Sequence, residues 1–353
     1  MPMTVHSQPI LPSEATTGWS GDHHRLHRSL RRHPSLLPAG EPLLLAVSGG
    51  QDSMALVALL EPLQQLHRWQ LLLWHGDHQW RPEAGSQARA LAAWAADRHL
   101  PLVVERWERP EAERTTEAAA RAWRYDRLLS RARQLRCRRV VTGHTATDRA
   151  ETLLFNLTRG CHRRGLASLR RRRSLGPGVD LARPLLDFSR DDTGRICRRQ
   201  GLPIWIDASN GDPAFSRNRL RLEVLPVLNT LHPGADRRLA RTAEQLEAEE
   251  EACQELWRLA LKQLELAPTA AGGEAGLQRR VLCSLTRRNQ LDLLQSWLER
   301  STGRRLPSRS LELLIDRLNG EGGSGSAALG DGWQLAWRGP RLWLAWEDSD
   351  LSR

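Results

Sequence analysis

The sequence predicts an α/β fold, a doubly wound parallel sheet followed by a smaller, mainly helical region that ends in a β-hairpin. Three observations carry that reading. From about residue 40 to 205, short apolar runs alternate with amphipathic segments, as in a parallel sheet flanked by helices. The first run, Leu43 to Val47, passes directly into the turn Ser48-Gly49-Gly50-Gln51-Asp52-Ser53. A later run, Arg139 to Thr142, passes into a second turn that begins Gly143-His144. Both turns therefore sit at the carboxyl edge of the sheet, where open α/β sheets bind ligands.

Residues 1–39 are polar and rich in His and Arg, and read as a basic N-terminal extension leading into a short helix. The strand candidates are Leu43–Val47, Leu71–Trp74, Leu102–Glu105 and Arg139–Thr142. Between them, Met54–Leu66, Ser86–Arg98 and Thr116–Leu135 read as helices. In the last of these Ala118, Ala122, Tyr125 and Leu129 fall at helical spacing, and Thr115 or Thr116 suits the N-cap. A break at Leu231-His232-Pro233-Gly234 closes a first domain at residues 40–230. Beyond it, Leu239, Ala243, Leu246, Glu250, Cys253, Trp257, Ala260 and Leu264 mark the stripe of one long helix with a polar interruption at Glu250. Residues 277–319 read as further helices. After the Gly/Ser-rich stretch Gly320–Gly332, the alternation of Trp333, Leu335 and Trp337 with Leu342, Leu344 and Trp346 across Gly339-Pro340 predicts the closing hairpin.

Composition narrows the class. A chain of 353 residues makes two or three domains. Its net charge of +11 comes almost wholly from arginine, since Lys262 is the one lysine. Either a polyanionic partner or the drift of a GC-rich genome explains that balance, and the clusters Arg163-Arg164 and Arg170 to Arg173 favour nucleic acid. Five scattered cysteines without a C-x-x-C point to a reducing cytoplasm and away from zinc or iron–sulfur sites. No apolar stretch is long enough to span a bilayer, and there is no signal-peptide core.

The turn Ser48–Ser53 has the chemistry of a phosphate site. A glycine-rich strand-to-helix turn presents backbone N–H groups to an anion, with the positive end of a helix dipole behind them. Ser48 and Ser53 add hydroxyls, and Asp52 places a carboxylate where a magnesium-bound phosphate is steered. It is neither a Walker A loop, which needs G-x-x-x-x-G-K-[ST], nor a G-x-G-x-x-G dinucleotide fingerprint. In the second turn His144, Asp148 and Glu151 share one face of a helix start. A carboxylate there meets Asp52 across a nucleotide and helps hold Mg²⁺; the same residues also suit an N-capped helix whose acids complement its dipole.

The pattern S-G-G-x-D-S resembles the PP-loop of enzymes that split ATP into AMP and pyrophosphate. With G-H-x-x-x-D-x-x-E-T behind it, the chain resembles the tRNA(Ile)-lysidine synthetase family. His75-Gly76-Asp77-His78 with Arg81, then Glu117-Ala118-Ala119-Ala120-Arg121 with Arg124-Tyr125, match that family's next motifs. Arg159-Gly160, Gly165-Leu166 and Arg183-Pro184-Leu185-Leu186 follow, and then Asp207-Ala208-Ser209-Asn210, Phe215, Arg217-Asn218-Arg219-Leu220-Arg221 and Leu225-Pro226. The matches run from about residue 40 to 230. Where the family has D-D-Q, this chain has Thr147-Asp148-Arg149, so that Arg149 either contacts phosphate or weakens a metal site by repulsion. Ala208 replaces a proline, and the C-terminal third matches loosely.

The resemblance implies ligation of free L-lysine to C2 of the wobble cytidine in tRNA(Ile) with a CAU anticodon, through an adenylylated intermediate, releasing AMP and pyrophosphate. It implies ATP held by Ser48, Gly49, Gly50, Gln51, Asp52 and Ser53, with His78 near the adenosine or structural, and Mg²⁺ between Asp52 and Asp148. Glu151 and His144 are both candidates to take the lysine proton. Arg217, Asn218 and Arg221 face nucleic acid or the substrate carboxylate, or form a solvated helix face. Arg121 binds phosphate or pairs with Asp126. Residues 231–353 are implied as the tRNA- and substrate-binding region, and the cytoplasm as the location. The alternatives are another PP-loop tRNA-modifying enzyme, a thiolation enzyme, or a non-catalytic tRNA-binding relative.

Overall fold

A computed structural model describes residues 19–79, 84–108, 116–205, 216–267, 276–320 and 322–346. The chain packs as two units, Met1–Glu247 and Ala248–Arg353, and the boundary falls within the helix Ala235–Leu264. The sequence division at residue 230 lies short of that boundary, because the first turns of this helix pack on the first unit.

The first unit is built on a six-stranded sheet: β1 (Pro42–Ala46), β2 (Gln70–Asp77), β3 (Leu102–Arg106), β4 (Arg139–Thr142), β5 (Arg172–Gly176) and β6 (Val179–Ala182), in the order β3-β2-β1-β4-β6-β5. All neighbours are parallel except the β5–β6 edge pair. Leu43, Leu44 and Leu45 are fully buried, as a central strand covered on both faces requires. Strand order reverses between β1 and β4, so the two turns read from the sequence flank the topological switch point. Strands β5 and β6 escaped the sequence reading: β5 opens on Arg172 and Arg173 and lies at an edge, where apolar alternation is not demanded.

The helix Gln51–Leu60 behind the first turn is apolar on every side, with Ser53 to Leu60 all buried. It packs in one core with the helix Gly21–Arg32, whose Leu26 and Leu30 are buried, and with Ile196 of the helix Arg190–Arg199. Part of the expected extension is thus core. The apolar positions of that helix are too few, among its histidines and arginines, to mark a face in sequence. The helix Glu117–Gln134 starts on Thr116, whose hydroxyl accepts from the Ala119 N–H at 3.1 Å.

The first turns of the helix Ala235–Leu264 are held to the first unit by a set of charged contacts, beside buried Ala240 and Ala243. Arg149 is buried and pairs with Glu247. Arg171 reaches Asp187 at 2.6 Å and Glu244 at 2.7 Å, Thr147 donates to Asp236 at 3.2 Å, and Arg237 meets Asp192 at 3.0 Å. Arg149 therefore neither contacts a phosphate site nor repels a metal there; it lies in this buried interface. Arg171, from the cluster read as a nucleic-acid signal, is likewise taken up by an internal pair.

The second unit holds the helices Arg287–Thr302 and Ser308–Asn319 against a five-stranded antiparallel sheet, order β7-β8-β11-β10-β9. Its strands are β7 (Glu265–Leu266), β8 (Gly276–Gln278), β9 (Ser324–Gly330), β10 (Trp333–Arg338) and β11 (Arg341–Trp346). The expected hairpin is β10–β11, with Trp333 opposite Trp346. The Gly/Ser-rich stretch before it is strand β9. A Cβ on Gly325 would lie 2.5 Å from the Trp337 ring, so the close approach of that ring requires glycine.

Removing one member of a buried ion pair is expected to be costly. Arg149→Ala strips Glu247 of its guanidinium and should lower unfolding free energy by about 3–5 kcal/mol. Arg149→Met combined with Glu247→Leu should recover most of that loss, as read by urea denaturation.

Candidate active site

The first turn is tied at both ends. The Val47 N–H donates to the Trp74 carbonyl at 2.8 Å, fixing the end of β1 against β2. The Ser48 N–H donates to Ser53 Oγ at 3.2 Å, the Gly50 N–H donates to Ser48 Oγ at 3.2 Å, and Ser53 Oγ donates to the Gly50 carbonyl at 2.9 Å. Gly49 has φ +80°, and a Cβ there would come within 2.7 Å of the Trp205 ring. The ring is held in place because the Trp205 backbone N–H donates to the Gly49 carbonyl at 3.1 Å. Only glycine meets both demands. Gly50 caps the helix Gln51–Leu60 in an extended conformation with no side-chain cap, so the first-turn N–H groups keep their capacity for an anion.

The second turn lies directly against the first. A Cβ on Gly143 would be 2.6 Å from the Asp52 carbonyl oxygen, so glycine alone permits this approach. Thr145 caps the helix Ala146–Thr158 in a reciprocal box: Asp148 Oδ2 accepts from the Thr145 N–H at 2.7 Å. That bond turns the Asp148 carboxylate back towards the strand ends. Arg221 then bridges both acids, its Nε donating to Glu151 at 2.5 Å and its Nη2 to Asp148 Oδ1 at 3.2 Å. Asp52 is held from the other side by Arg190 Nη1 at 2.8 Å and Thr193 Oγ1 at 2.5 Å. The Gln51 amide points into the same helix, donating to the Arg190 carbonyl at 2.7 Å, so its side chain braces the loop.

Ser48, Asp52, His75, Arg124, His144, Asp148, Arg190 and Arg221 line one cleft of about 430 Å³, and buried Glu151 is joined to it through Arg221. His78, which lines the cleft at the end of β2, belongs to an aromatic cluster. Trp107 and Trp123 stack with centroids 5.8 Å apart, and His78 meets Trp123 edge-on at 5.0 Å. His78 also lies 3.2 Å from Arg124 Nη2. Arg121 sits over the Tyr125 ring at 5.1 Å rather than pairing with Asp126, and Arg217 lies over Phe155 at 5.3 Å. Asn218 neighbours Arg217 on the helix Ser216–Arg219. Arg81, Asp207 to Asn210 and Phe215 lie outside the described residues.

Burial and neighbours push the acids apart. Burial and the nearby Asp148 charge raise Asp52 above the usual carboxylate range, against Arg190 and Thr193. Burial pushes Asp148 up too, but His144, the Thr145 N–H and Arg221 bring it below that range. Glu151 is raised by burial despite its bond to Arg221. His144 is driven down to about 4 by burial and by the Arg183 charge, and is neutral near pH 7. Arg183, buried at 2% exposure, is itself lowered to about 10 by burial.

The sequence drew attention to most of this set, but not to Arg190, Thr193 or Trp205. Arg190 and Thr193 open a polar helix with no motif around them; only Ser189, a capping residue just ahead, marks its start. Trp205 is one tryptophan among 14.

Comparison with known proteins agrees with this geometry. The PP-loop domain family matches residues 24–228. A tRNA(Ile)-lysidine synthase of Parasynechococcus marenigrum (strain WH8102) is 48% identical over 330 residues, 92% of this chain and 95% of the relative. The chain belongs to the tRNA(Ile)-lysidine synthase family. A second lysidine synthase, from Prochlorococcus marinus, is 40% identical over 90% of this chain and 94% of its own length. Among solved structures, the U34-tRNA thiolase NcsA from Methanococcus maripaludis, with its iron–sulfur cluster, superposes with a TM-score of 0.54 at 15% identity. That superposition covers 64% of this chain and 78% of the thiolase, and is a likeness of fold. The lysidine synthase family and the PP-loop architecture thus meet in one chain.

The neutral His144 gives a pH signature. An unfolded histidine takes up a proton near pH 6.5 while the folded one resists until about 4, so stability falls as pH drops through that window. His144→Gln removes this dependence. Between pH 7 and 5 the variant should lose roughly 2 kcal/mol less than the parent in urea melts.

Proposed function

We propose that this cleft carries out ATP-dependent ligation of L-lysine to C2 of the wobble cytidine in CAU-anticodon tRNA(Ile). What supports the reading most is the meeting of Asp52 and Asp148 in a single cleft above the Ser48–Ser53 turn, in a chain whose curated relatives are lysidine synthases over nearly their whole length. The N–H groups of Gly49 and the helix start, with Gly50 once its bond to Ser48 Oγ is exchanged, donate to the β- and γ-phosphates of ATP. Two carboxylates without further protein ligands suit Mg²⁺, which keeps waters and takes its other oxygens from substrate phosphates. Among the described residues no cluster of three or more His, Cys, Asp and Glu is arranged to hold a metal alone. When bound, Mg²⁺ neutralises charge on the departing pyrophosphate. Asp52 is raised by burial and by repulsion from Asp148, and that repulsion is the kind a cation relieves.

The cytidine O2 attacks the α-phosphate, pyrophosphate leaves, and the lysine ε-amine then displaces AMP at C2. The ammonium must first lose a proton. Glu151 is the better acceptor, because its carboxyl is raised whereas His144 is pushed down to about 4 and binds a proton weakly. Neutral His144 instead orients the turn through Thr142 Oγ1 at 2.8 Å. Arg217, Asn218 and residues 231–353 are assigned to the tRNA. The reaction belongs in the cytoplasm; among the described residues no helix is long and apolar enough to cross a membrane. Thiolation is disfavoured because the five cysteines include no C-x-x-C pair, and Cys137 and Cys197 are buried with thiols pushed up to about 11 and about 12.

Incubation with Mg-ATP, radiolabelled lysine and unmodified CAU-anticodon tRNA should transfer label to RNA. Asp52→Ala should reduce that rate at least tenfold, about 1.4 kcal/mol of barrier. Tight tRNA binding by the parent protein without any label on the RNA would refute the assignment.

A further inference from the structure

Beside the catalytic carboxylates lies a second, wholly basic constellation. Tyr125, the one tyrosine of the chain, carries Arg121 over its ring at 5.1 Å and Arg173 over the same ring at 4.9 Å. Arg183 stands against the phenol from the end of β6, and its guanidinium donates to the Arg170 carbonyl at 2.5 Å. Its Nε is buried with no hydrogen-bond partner. None of Arg121, Arg173 and Arg183 forms an ion pair with a carboxylate among the described residues, whereas Arg171, Arg190 and Arg221 each do. Arg183 and Arg121 add to the burial that depresses His144, and all three arginines lower the Tyr125 phenol against its burial.

Three convergent guanidiniums, one of them buried, are an unfavourable arrangement unless an anion completes it. A single carboxylate would leave most of that charge uncompensated. The constellation also opens outward rather than closing into a pocket: Arg121 is exposed, and Arg173 lies on the edge strand β5 beside exposed Arg172. That shape suits an extended chain of singly charged oxyanions. Tyr125 lines the cleft together with His144 and Asp148, so an RNA strand held here would place an unstacked base at the reacting groups.

We infer that Arg121, Arg173 and Arg183, gathered around Tyr125, form a phosphodiester-binding wall that seats the single-stranded loop of the RNA substrate next to the catalytic cleft. The inference rests on the RNA-modifying reading above and adds Arg173, Arg183 and Tyr125 to it.

Binding of a CAU anticodon stem-loop is measured over a range of salt concentrations for the parent protein, Arg173→Gln and Arg173→Lys. Arg173→Gln should weaken binding about tenfold at low salt and flatten the slope of log affinity against log salt by roughly 0.7 to 1. Arg173→Lys should keep most of the slope, and the KM for lysine should stay unchanged in both variants. Incorporation of 3-fluorotyrosine gives a single ¹⁹F signal from Tyr125, which the stem-loop should shift and free lysine should not. An unchanged salt slope in Arg173→Gln would overturn the inference. So would a rise in lysine KM with RNA binding intact, or a ¹⁹F signal moved by lysine alone, either of which would make this a carboxylate site. Stem-loop binding is read without turnover, so failure of the ligase reading shows separately, as absence of label transfer by the parent protein.

Discussion

The site depends on how closely two strand-to-helix turns approach each other. The Asp52 carbonyl and the Gly143 Cα sit where a methyl group would be only 2.6 Å from the oxygen, so the two turns meet backbone to backbone. Such an approach needs strands that are adjacent and in register, which the parallel pairing of Ala46 with Thr142 supplies. It also needs a left-handed glycine to turn the first loop, which Gly49 supplies with Trp205 filling the space above it. Once those conditions hold, the helix starts at Gln51 and Ala146 bring Asp52 and Asp148 to one cleft without further adjustment.

Arginine supplies the positive charge around that meeting point. Asp52 is held by Arg190, and Asp148 and Glu151 by Arg221. The same chemistry holds the helix Ala235–Leu264 to the first unit, where Arg149 and Arg171 are paired with its glutamates. Planar guanidiniums suit this because one fork satisfies two acids at fixed geometry. A chain with one lysine has little else to use. Arg121, Arg173 and Arg183, gathered around Tyr125, have no such acid among the described residues, and one of them is buried.

The central strands and the two turns were legible because burial on both faces leaves an apolar run, and because glycine at a forced position is visible in sequence. The Thr116 cap and the β10–β11 hairpin were legible for similar local reasons. Strands β5 and β9 were not. One is an arginine-bearing edge, and the other is glycine-rich because Trp337 presses against it. The short helix before residue 40 was expected, but not that Gly21–Arg32 is part of the core, because only a few buried leucines anchor an otherwise polar segment. Arg149 looked like a perturbation of the site, yet its direction on the helix turns it to Glu247 instead. Arg190 and Thr193 reach Asp52 across more than a hundred residues of chain, and no local pattern reports a contact of that range.

The most direct test of the account is the fate of the ATP α-phosphate when lysine is withheld. With α-phosphate-labelled ATP, Mg²⁺ and CAU-anticodon tRNA, the account predicts label bound to the RNA as AMP, with an equal amount of pyrophosphate. Later addition of lysine should release that AMP. Formation of ADP and inorganic phosphate, or pyrophosphate release with no label on the RNA, would contradict it.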